Sequence, residues 1–379
     1  MTELPTVMHF VPESGERKLP DPLYTLDGDR VAAVEQWRQK RRPEIVELYR
    51  TFVFGREPLQ RPSTLHFHVE TTPGMMNGAA VRKQVEIRYE GSGGEGSIKL
   101  LLFIPTNRTK PSPLFLLINN RGLEHMDPER ENVSPFWPAE TILSQGFAAA
   151  VFNNADVDPD EHDDFQNGVH GIFDSKSEGR SPDAWGTIAA WAWGACRVMD
   201  YLETDSDIDS ADVTLVGHSR GGKTALWAGA IDERFARVIS NNSGCTGAAL
   251  ARGKKGETIG QINEKFPHWF NENYKWFKDR EYELPFDQHM LLALMAPRPV
   301  YVTSATEDLW ADPESEFLSL VYAEPVYKLY GLEGLGIKRM PLPDSPMHSR
   351  AMGYHLRTGK HDMTEYDWLQ FITFASTSQ

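Results

Sequence analysis

The stretch VTLVGHSRGGKTALW, residues 213–227, joins an apolar run to a helix-forming run through a glycine-rich turn. It contains GHSRG at 217–221, which matches the pattern G-x-S-x-G. Glycines are needed there because a side chain at either flank of so tight a turn would collide with neighbouring backbone. The serine is then held in a strained conformation with its hydroxyl exposed. A strand before the turn and a helix after it make Ser219 a candidate nucleophile, the alternative being an ordinary glycine-rich turn.

Short apolar runs and helical patterns alternate on both sides of this turn, which is typical of a parallel sheet with crossover helices. The apolar runs lie at 114–118, 148–152, 213–217 and 300–304, and a long helix is predicted over 185–202. Period-two segments separated by glycine- and proline-bearing turns lie earlier, at 65–70, 85–89 and 98–104. They predict an antiparallel entry to the same sheet.

Residues 1–62 have a different character, with proline-rich and charged stretches around one helical pattern, Asp29 to Phe54. Pro43 should break that helix in two, because proline lacks the N–H and clashes with the preceding turn. We therefore expect an N-terminal extension over 1–62, with helices packed on a catalytic domain that spans 63–379.

The composition excludes several classes of protein. Among 379 residues, 40% are hydrophobic and 25% charged, which is too apolar for a disordered chain. The 54 Asp and Glu residues outnumber 39 Lys and Arg residues, leaving a formal charge of −15. This charge disfavours nucleic acid or an anionic membrane as a partner. Two cysteines, Cys196 and Cys245, cannot build a disulfide framework, although one bridge between them is possible.

The amino-terminal segment MTELPTVMHFVPESGERK lacks a basic region followed by an apolar one, and the sequence contains no apolar run of about 18 residues. As written, the sequence predicts a soluble cytoplasmic protein without an export signal. If an export segment has been removed, the expected location is extracellular or periplasmic. We expect a monomer.

Two clusters of potential metal ligands lead to no predicted metal site. The acidic stretch DVDPDEHDD, 156–164, has Glu161 where a calcium loop needs glycine and Asn167 where it needs a bidentate glutamate, so a solvated loop is favoured. His66 and His68 would share one face of a strand, but without a nearby third ligand they are interpreted as strand surface. We expect neither a metal nor an organic cofactor.

A serine nucleophile on this kind of fold needs an acid and then a histidine later in the chain. The segment ATEDLWADP, 305–313, follows an apolar run and offers Glu307, Asp308 and Asp312. Asp308 lies where the chain would leave the sheet and is the preferred acid, with Glu307 second.

The histidine is expected near the carboxyl-terminal end, in a loop. His361 lies in RTGKHDMTEYDW, 357–368, in a turn-like segment just before the final helix, and is the preferred general base. His355 and His348 are the alternatives. His355 has strand-like neighbours, so a structural role is favoured for it.

Together with GHSRGGK, several longer motifs resemble the bacterial branch of carbohydrate esterase family 15, the glucuronoyl esterases. These motifs are SNNSGCTGAAL at 240–250, INEKFPHWF at 262–270, LPFDQHMLLALMAPRPVYV at 284–302, EDLWADPESEF at 307–317 and GYHLRTGKHDMTEYDW at 353–368. The resemblance covers roughly residues 15–375. It implies an α/β-hydrolase fold, a three-layer sandwich with a mostly parallel central sheet that is antiparallel at its N-terminal edge.

The resemblance also implies roles for individual residues. Ser219 matches the family's nucleophile, His361 its base and Asp308 its acid. Arg220 matches the arginine that helps to bind the oxyanion. The sugar-contacting positions are matched by Lys223, Glu257 and Trp310. From the residues alone, a structural reading of these three stays open: Lys223 as a charge on the first turn of a helix, Glu257 as a helix-start carboxylate and Trp310 as core or sheet-edge packing. Lys223 should have a partner, because a cation near a helix N-terminus opposes the macrodipole.

The sequence departs from the family at two places. Some relatives carry a glutamate as acid after the strand that follows the elbow, and the matching residue here is Asn242, which leaves Asp308 as the acid. Fungal relatives have cysteines beside both the serine and the histidine. Here those neighbours are His218 and Asp362, so no active-site disulfide is expected.

The predicted function is hydrolysis of esters of glucuronic acid or its 4-O-methyl ether, as in lignin–xylan linkages, through an acyl-enzyme on Ser219. Carbohydrate esters such as glucuronoxylan fragments are the expected substrates. An acetyl-xylan esterase or other carboxylesterase on the same fold is the first alternative. A non-catalytic carbohydrate-binding protein is the second.

Overall fold

One ten-stranded sheet crosses the part of the chain that the computed structural model describes, residues 8–58, 60–174 and 179–378. Its spatial order is β1-β2-β3-β5-β4-β6-β7-β8-β10-β9. The strands are β1 His66–Met75, β2 Ala80–Gly91, β3 Gly94–Pro105, β4 Ser112–Asn119, β5 Ala148–Asn153, β6 Ile208–His218, β7 Arg237–Asn241, β8 Val300–Ala305, β9 Met347–His348 and β10 Met352–Arg357.

The six central strands, from β5 to β10, are parallel to one another. At one edge, β1, β2, β3 and β5 pair antiparallel. The predicted fold class is therefore confirmed, including the antiparallel N-terminal edge. The short antiparallel strand β9 at the opposite edge was not predicted, because two residues give no periodic signal.

Both faces of the sheet are covered, which explains why its strands are continuously apolar. In β4, Leu114, Leu116 and Ile118 pack into one core, while Phe115 and Leu117 pack into the other. The helices are α1 Val34–Gln36, α2 Arg42–Tyr49, α3 Ala139–Ser144, α4 Gly168–Phe173, α5 Thr187–Leu202, α6 Arg220–Ile231, α7 Ile259–Lys265, α8 Gln288–Ala293, α9 Pro313–Leu329 and α10 Glu365–Thr377. Residues of α5, α6, α8 and α9 belong to the first core, and those of α3 and α10 to the second. No helix within the described residues has both the length and the apolar character needed to cross a membrane.

The predicted break at Pro43 is wrong. Helical structure runs without interruption from α1 through α2 to Phe54, and the segment Trp37–Arg41 directly before Pro43 is π-helical. The wider turn of a π-helix gives the proline ring room and removes the need for its missing N–H, so the chain continues.

This N-terminal helical segment packs on the sheet-covering helices. The Phe54 ring stacks on Trp227 of α6 with 4.6 Å between centroids, and the Tyr49 hydroxyl donates to the Asp287 carbonyl at 3.1 Å. Large apolar surface is buried at this contact, which fixes the segment against the helix that begins at Ser219. The division of the chain at residue 62 stays a prediction.

Candidate active site

Ser219 lies in the sharp turn between β6 and α6. Its backbone has φ 56° and ψ −123°, a region that non-glycine residues seldom adopt, and its N–H donates to the Asn241 carbonyl at 2.8 Å. A Cβ placed on Gly217 would lie 1.9 Å from the Gly221 carbonyl oxygen, so only glycine fits there. The local sequence therefore forces the chain into the turn that holds the serine between strand and helix.

His361 and Asp308 form a hydrogen-bonded pair, with 2.6 Å between Nδ1 and Oδ2. Burial by itself would raise the pKa of Asp308, but the hydrogen bond and charge of His361 and a hydrogen bond from Asn242 lower it, and the net pKa is lowered. An ionised carboxylate accepts from Nδ1–H. The other ring nitrogen, Nε2, is then free to accept a proton.

The topology brings Ser219, Asp308 and His361 to one edge of the sheet. They follow β6, β8 and β10, which are parallel strands, and the carboxyl ends of parallel strands meet at the same edge. The ring of His218, the residue before Ser219, lies 4.6 Å from the His361 ring between centroids. The nucleophile elbow and the predicted base are therefore neighbours in space.

The alternative acids and bases are engaged or placed elsewhere. Glu307 is exposed, and Asp312 is buried as the N-cap of α9. His355 is buried in β10 between Asp367, 2.8 Å from Nε2, and the Tyr301 hydroxyl, which also contacts His348. These contacts give His355 the structural role expected for it.

Asn242, the residue at the alternative acid position, contributes in another way. Its side-chain N–H donates to Asp308 Oδ2 at 3.0 Å and therefore stabilises the ionised carboxylate of Asp308.

Arg220, next to the nucleophile, forms an ion pair with Asp160 and lies over the Trp269 ring, 5.1 Å from its centroid. Asp160 also accepts from His268 Nε2 at 3.1 Å and from the Trp269 indole at 2.7 Å. Burial tends to raise the pKa of Asp160, but these hydrogen bonds and the Arg220 charge lower it. The expected solvated loop is confirmed for Glu161, His162 and Asp164, which are exposed, but is wrong for Asp158, which is buried, and for Asp160, which pairs with Arg220.

Lys223 lies one turn further along α6 and is buried, with only 4% of its surface exposed. Its ammonium group donates to the carbonyls of Ser243 and Cys245, so the expectation of a partner is confirmed. Burial lowers the pKa of Lys223, and the nearby charge of Glu257 opposes that shift.

Glu257 lies near this lysine, and Trp310 adjoins Glu257 along the backbone. The Glu257 backbone N–H donates to the Trp310 carbonyl at 2.9 Å, and a Cβ on Gly256 would clash with that same carbonyl oxygen at 2.2 Å. Glu257 is nearly buried, whereas Trp310 is 53% exposed. An exposed indole of this kind can pack on a hydroxylated ring.

The remaining candidates from the sequence are two histidines and two cysteines. His66 and His68 are exposed on β1, as expected. Cys196 and Cys245 are both buried and free. In the described residues, no group of three or more His, Cys, Asp or Glu side chains is arranged to hold a metal ion.

Two residues at the site were missed from the sequence, Asp160 and Arg121. Arg121 belongs to NNRG, 119–122, which follows the buried strand β4 directly. Polar residues immediately after a parallel strand are expected at the carboxyl edge of the sheet, and that signal could have found it. No comparable local signal marks Asp160, which pairs with a residue 60 positions away.

Comparison with known proteins identifies the family. The family model described as fungal glucuronyl esterases matches residues 89–331. The chain belongs to the glucuronoyl esterase family. This esterase is 42% identical to the carbohydrate esterase MZ0003, from an unknown prokaryotic organism, over 94% of this chain and 88% of that protein.

A solved glucuronoyl esterase from Solibacter usitatus shares the fold of this esterase with a TM-score of 0.89 and 40% identity, over 95% of this chain and 97% of that one. A 4-O-methyl-glucuronoyl methylesterase from Phanerochaete carnosa is 28% identical, over 83% of this chain and 73% of that protein. The expected resemblance to this family and the expected esterase class are confirmed.

Proposed function

We propose that this esterase cleaves esters of glucuronic acid or 4-O-methyl-glucuronic acid, as in lignin–xylan linkages, with Ser219, His361 and Asp308 as its catalytic residues. The observation that carries the catalytic assignment is the 2.6 Å pair of His361 and Asp308 at the sheet edge that holds the serine turn. The relatives named 4-O-methyl-glucuronoyl methylesterases support the choice of acyl group.

The proposed reaction has two steps. His361 Nε2 takes the proton of the Ser219 hydroxyl while Oγ attacks the ester carbonyl, and the tetrahedral intermediate forms. His361 then gives this proton to the alcohol oxygen as the bond from carbonyl carbon to alcohol oxygen breaks. In the second step, His361 takes a proton from water while the water oxygen attacks the acyl carbonyl. The proton then passes to Ser219 Oγ as the bond from carbonyl carbon to Oγ breaks, and the uronate is released. Asp308 fixes the tautomer of the neutral imidazole and stabilises the imidazolium that forms in both steps.

Arg220 supplies stabilisation of the oxyanion in this proposal. Its backbone N–H follows the nucleophile, which is the usual position of an oxyanion donor, and its guanidinium adds a charged donor. The ion pair with Asp160 holds that guanidinium before the substrate arrives. Stabilisation by a group that is already in place costs no reorganisation during the reaction.

Lys223, Glu257 and Trp310 form the proposed sugar contacts. Two of the three N–H groups of Lys223 are used by backbone carbonyls, which leaves one donor. Glu257 can accept from a hydroxyl, and the exposed Trp310 ring can pack on the sugar face. These three residues recognise the acid part of the ester and would not contact an acetyl group.

A broader carboxylesterase activity is the second candidate. The relative with 42% identity carries the wider name carbohydrate esterase, and a catalytic serine, histidine and aspartate do not determine the acyl group.

Esters of polymeric xylan lie outside the cell, so action on them requires an extracellular or periplasmic enzyme, whereas small imported fragments would be cleaved in the cytoplasm. The extension 1–62 is proposed as a support for the catalytic domain through its contact with α6.

The test compares hydrolysis of benzyl glucuronate and 4-nitrophenyl acetate. We expect the wild type to cleave the uronate ester and Ser219→Ala to lose activity on both substrates. Because the Trp310 side chain is exposed, the Trp310→Ala variant should fold normally. Loss of the proposed sugar contact should raise its KM for the uronate ester and leave acetate hydrolysis unchanged. Cleavage of acetate alone would refute the substrate assignment. If neither ester is cleaved, the carbohydrate-binding alternative is favoured.

A further inference from the structure

One guanidinium group contacts the direct chain neighbours of both the proposed nucleophile and the proposed base. Arg121 Nη2 donates to Asp362 Oδ1 at 2.7 Å and lies 3.4 Å from His218 Nε2. His218 precedes Ser219, and Asp362 follows His361. A rigid group at this point connects the turn after β6 to the loop after β10.

Arg121 is itself held firmly. Its carbonyl oxygen accepts from the side-chain amides of Asn119 and Asn153, each at 3.1 Å, which ties it to the ends of β4 and β5. Its guanidinium lies over the Phe136 ring, 4.1 Å from the centroid. The carbonyl contacts fix the backbone of Arg121, and the Phe136 ring restricts its side chain before the two guanidinium contacts form.

The hydrogen bond to His218 is consistent with one tautomer of that ring. The Asn241 amide nitrogen donates to Thr303 Oγ1 at 2.6 Å, so the Asn241 oxygen faces His218 Nδ1, also at 2.6 Å, and must accept its proton. His218 Nε2 then has a lone pair for Arg121. Burial first, and the neighbouring charges of His361 and Arg121 next, lower the pKa of His218, so the ring is neutral.

We propose that Arg121 is a positioning residue that sets the separation of Ser219 and His361 by bridging His218 and Asp362. The inference rests on the proposed catalytic roles of Ser219 and His361. Arg121 needs no contact with substrate for this role. Displacement of a base by about 1 Å can cost about 100-fold in rate, so loss of the bridge should lower kcat by roughly 10- to 100-fold with little change in KM.

The experiment is a double-mutant cycle with Arg121→Met and Asp362→Ala. Each single variant should lower kcat on both benzyl glucuronate and 4-nitrophenyl acetate by the same factor, because His361 serves both reactions. The double variant should be no slower than the slower single variant, since both changes remove one bridge. Asp362→Asn keeps an acceptor oxygen and should recover most of kcat. Additive losses, or a rise in KM with unchanged kcat, would overturn the proposal.

Arg108→Met is the matched control. Arg108 forms a similarly exposed ion pair with Asp207, which directly precedes β6 at the end of the strand remote from Ser219. Its removal should leave kcat within about twofold of wild type, because this pair lies at the far end of β6 from Ser219. A loss as large as that of Arg121→Met would show a general stability effect and would contradict a positioning role.

A second readout does not depend on the uronate substrate. The rate at which a fluorophosphonate labels Ser219, followed by mass spectrometry, reports the reactivity of the serine and its base. The same non-additive losses are expected. If labelling follows this pattern while uronate hydrolysis is absent, the bridge stands and the substrate assignment fails. If the wild type is not labelled, Arg121 has no reactive serine to position and the inference fails as well.

Discussion

The two sides of Ser219 are built from opposite charges. On the α6 side, the cations Arg220 and Lys223 are each held by oxygen atoms, one by the carboxylate of Asp160 and the other by backbone carbonyls. On the His361 side, Asp308 holds the imidazole and Asp362 is bound by Arg121. One side can stabilise negative charge that develops on the substrate, and the other can stabilise positive charge on the base.

The two sides also differ in how far apart their parts lie in the sequence. On the α6 side, Arg220 directly follows Ser219 in the sequence. On the other side, Asp308 and His361 are 53 positions apart and meet only because β8 and β10 are adjacent. A local motif therefore identifies the proposed nucleophile, and the sheet topology is needed to place the proposed acid and base.

The largest effect is expected on the His361 side, from Asp308→Asn. The substitution keeps the shape but removes the charge that stabilises the imidazolium, so kcat should fall by roughly 10³- to 10⁴-fold. Steady-state hydrolysis of benzyl glucuronate measures this loss. Asn242→Leu, which removes a donor to Asp308 and leaves its charge in place, is the comparison and should cost far less. Equal losses in the two variants would mean that charge is not what Asp308 contributes.

A smaller effect is expected on the α6 side. Arg220→Ala should lower kcat by roughly 10²- to 10³-fold, as loss of one oxyanion donor does. Asp160→Asn keeps only one of the two acceptor oxygens, so either Arg220 or the pair His268 and Trp269 loses its acceptor, and kcat should fall by about 10-fold through weaker orientation of the guanidinium. Measurement of kcat for both variants on the same ester distinguishes loss of the Arg220 guanidinium from weaker orientation of it. If Asp160→Asn costs as much as Arg220→Ala, the carboxylate has a direct role that its position does not suggest.

Glu316 of α9 is buried near Asp308 and should affect stability more than rate. It accepts from the Gly244 N–H at 2.8 Å and from the Ser304 hydroxyl at 2.7 Å. Burial raises the pKa of Glu316 to about 8. The folded protein then keeps a proton that the unfolded chain loses above about 4.5, so this group stabilises the fold below pH 4.5 and the stabilisation is lost as pH rises to 8.

Urea unfolding at pH 5 and pH 8 tests this sign. The free energy of unfolding of the wild type should contain a decline of at most about 1.4 kcal/mol per pH unit from Glu316, and Glu316→Gln should lack it. A variant with the same pH dependence as the wild type would show that Glu316 is ionised at neutral pH.

Much of the architecture could be predicted because its signals are local. The apolar runs at 114–118 and 148–152 lie within β4 and β5, and the long helix predicted over 185–202 became α5. The choice of Asp308 over Glu307 and Asp312 followed from its place at the end of a strand. In the structure, Asp308 contacts His361, which supports that choice, while the catalytic roles stay proposals.

Two of the failures depended on contacts beyond the local pattern, whereas the error at Pro43 concerns local backbone geometry. Pro43 was expected to end a helix, but the π-helical turn before it accommodates the ring. Asp160 looked like part of a solvated acidic loop, and only the folded chain brings it to Arg220. Arg121 contacts residues 97 and 241 positions away. No spacing rule along the chain links such residues.

The central claim is that Ser219 and His361 act as one catalytic unit. The most direct test measures kcat for benzyl glucuronate in Ser219→Ala, His361→Ala and the double variant, with folding checked by circular dichroism. Because residues that act together are not additive, each single variant should lose roughly 10⁴-fold or more and the double variant should lose no more than that. Losses that multiply in the double variant, or substantial activity in Ser219→Ala, would contradict the account.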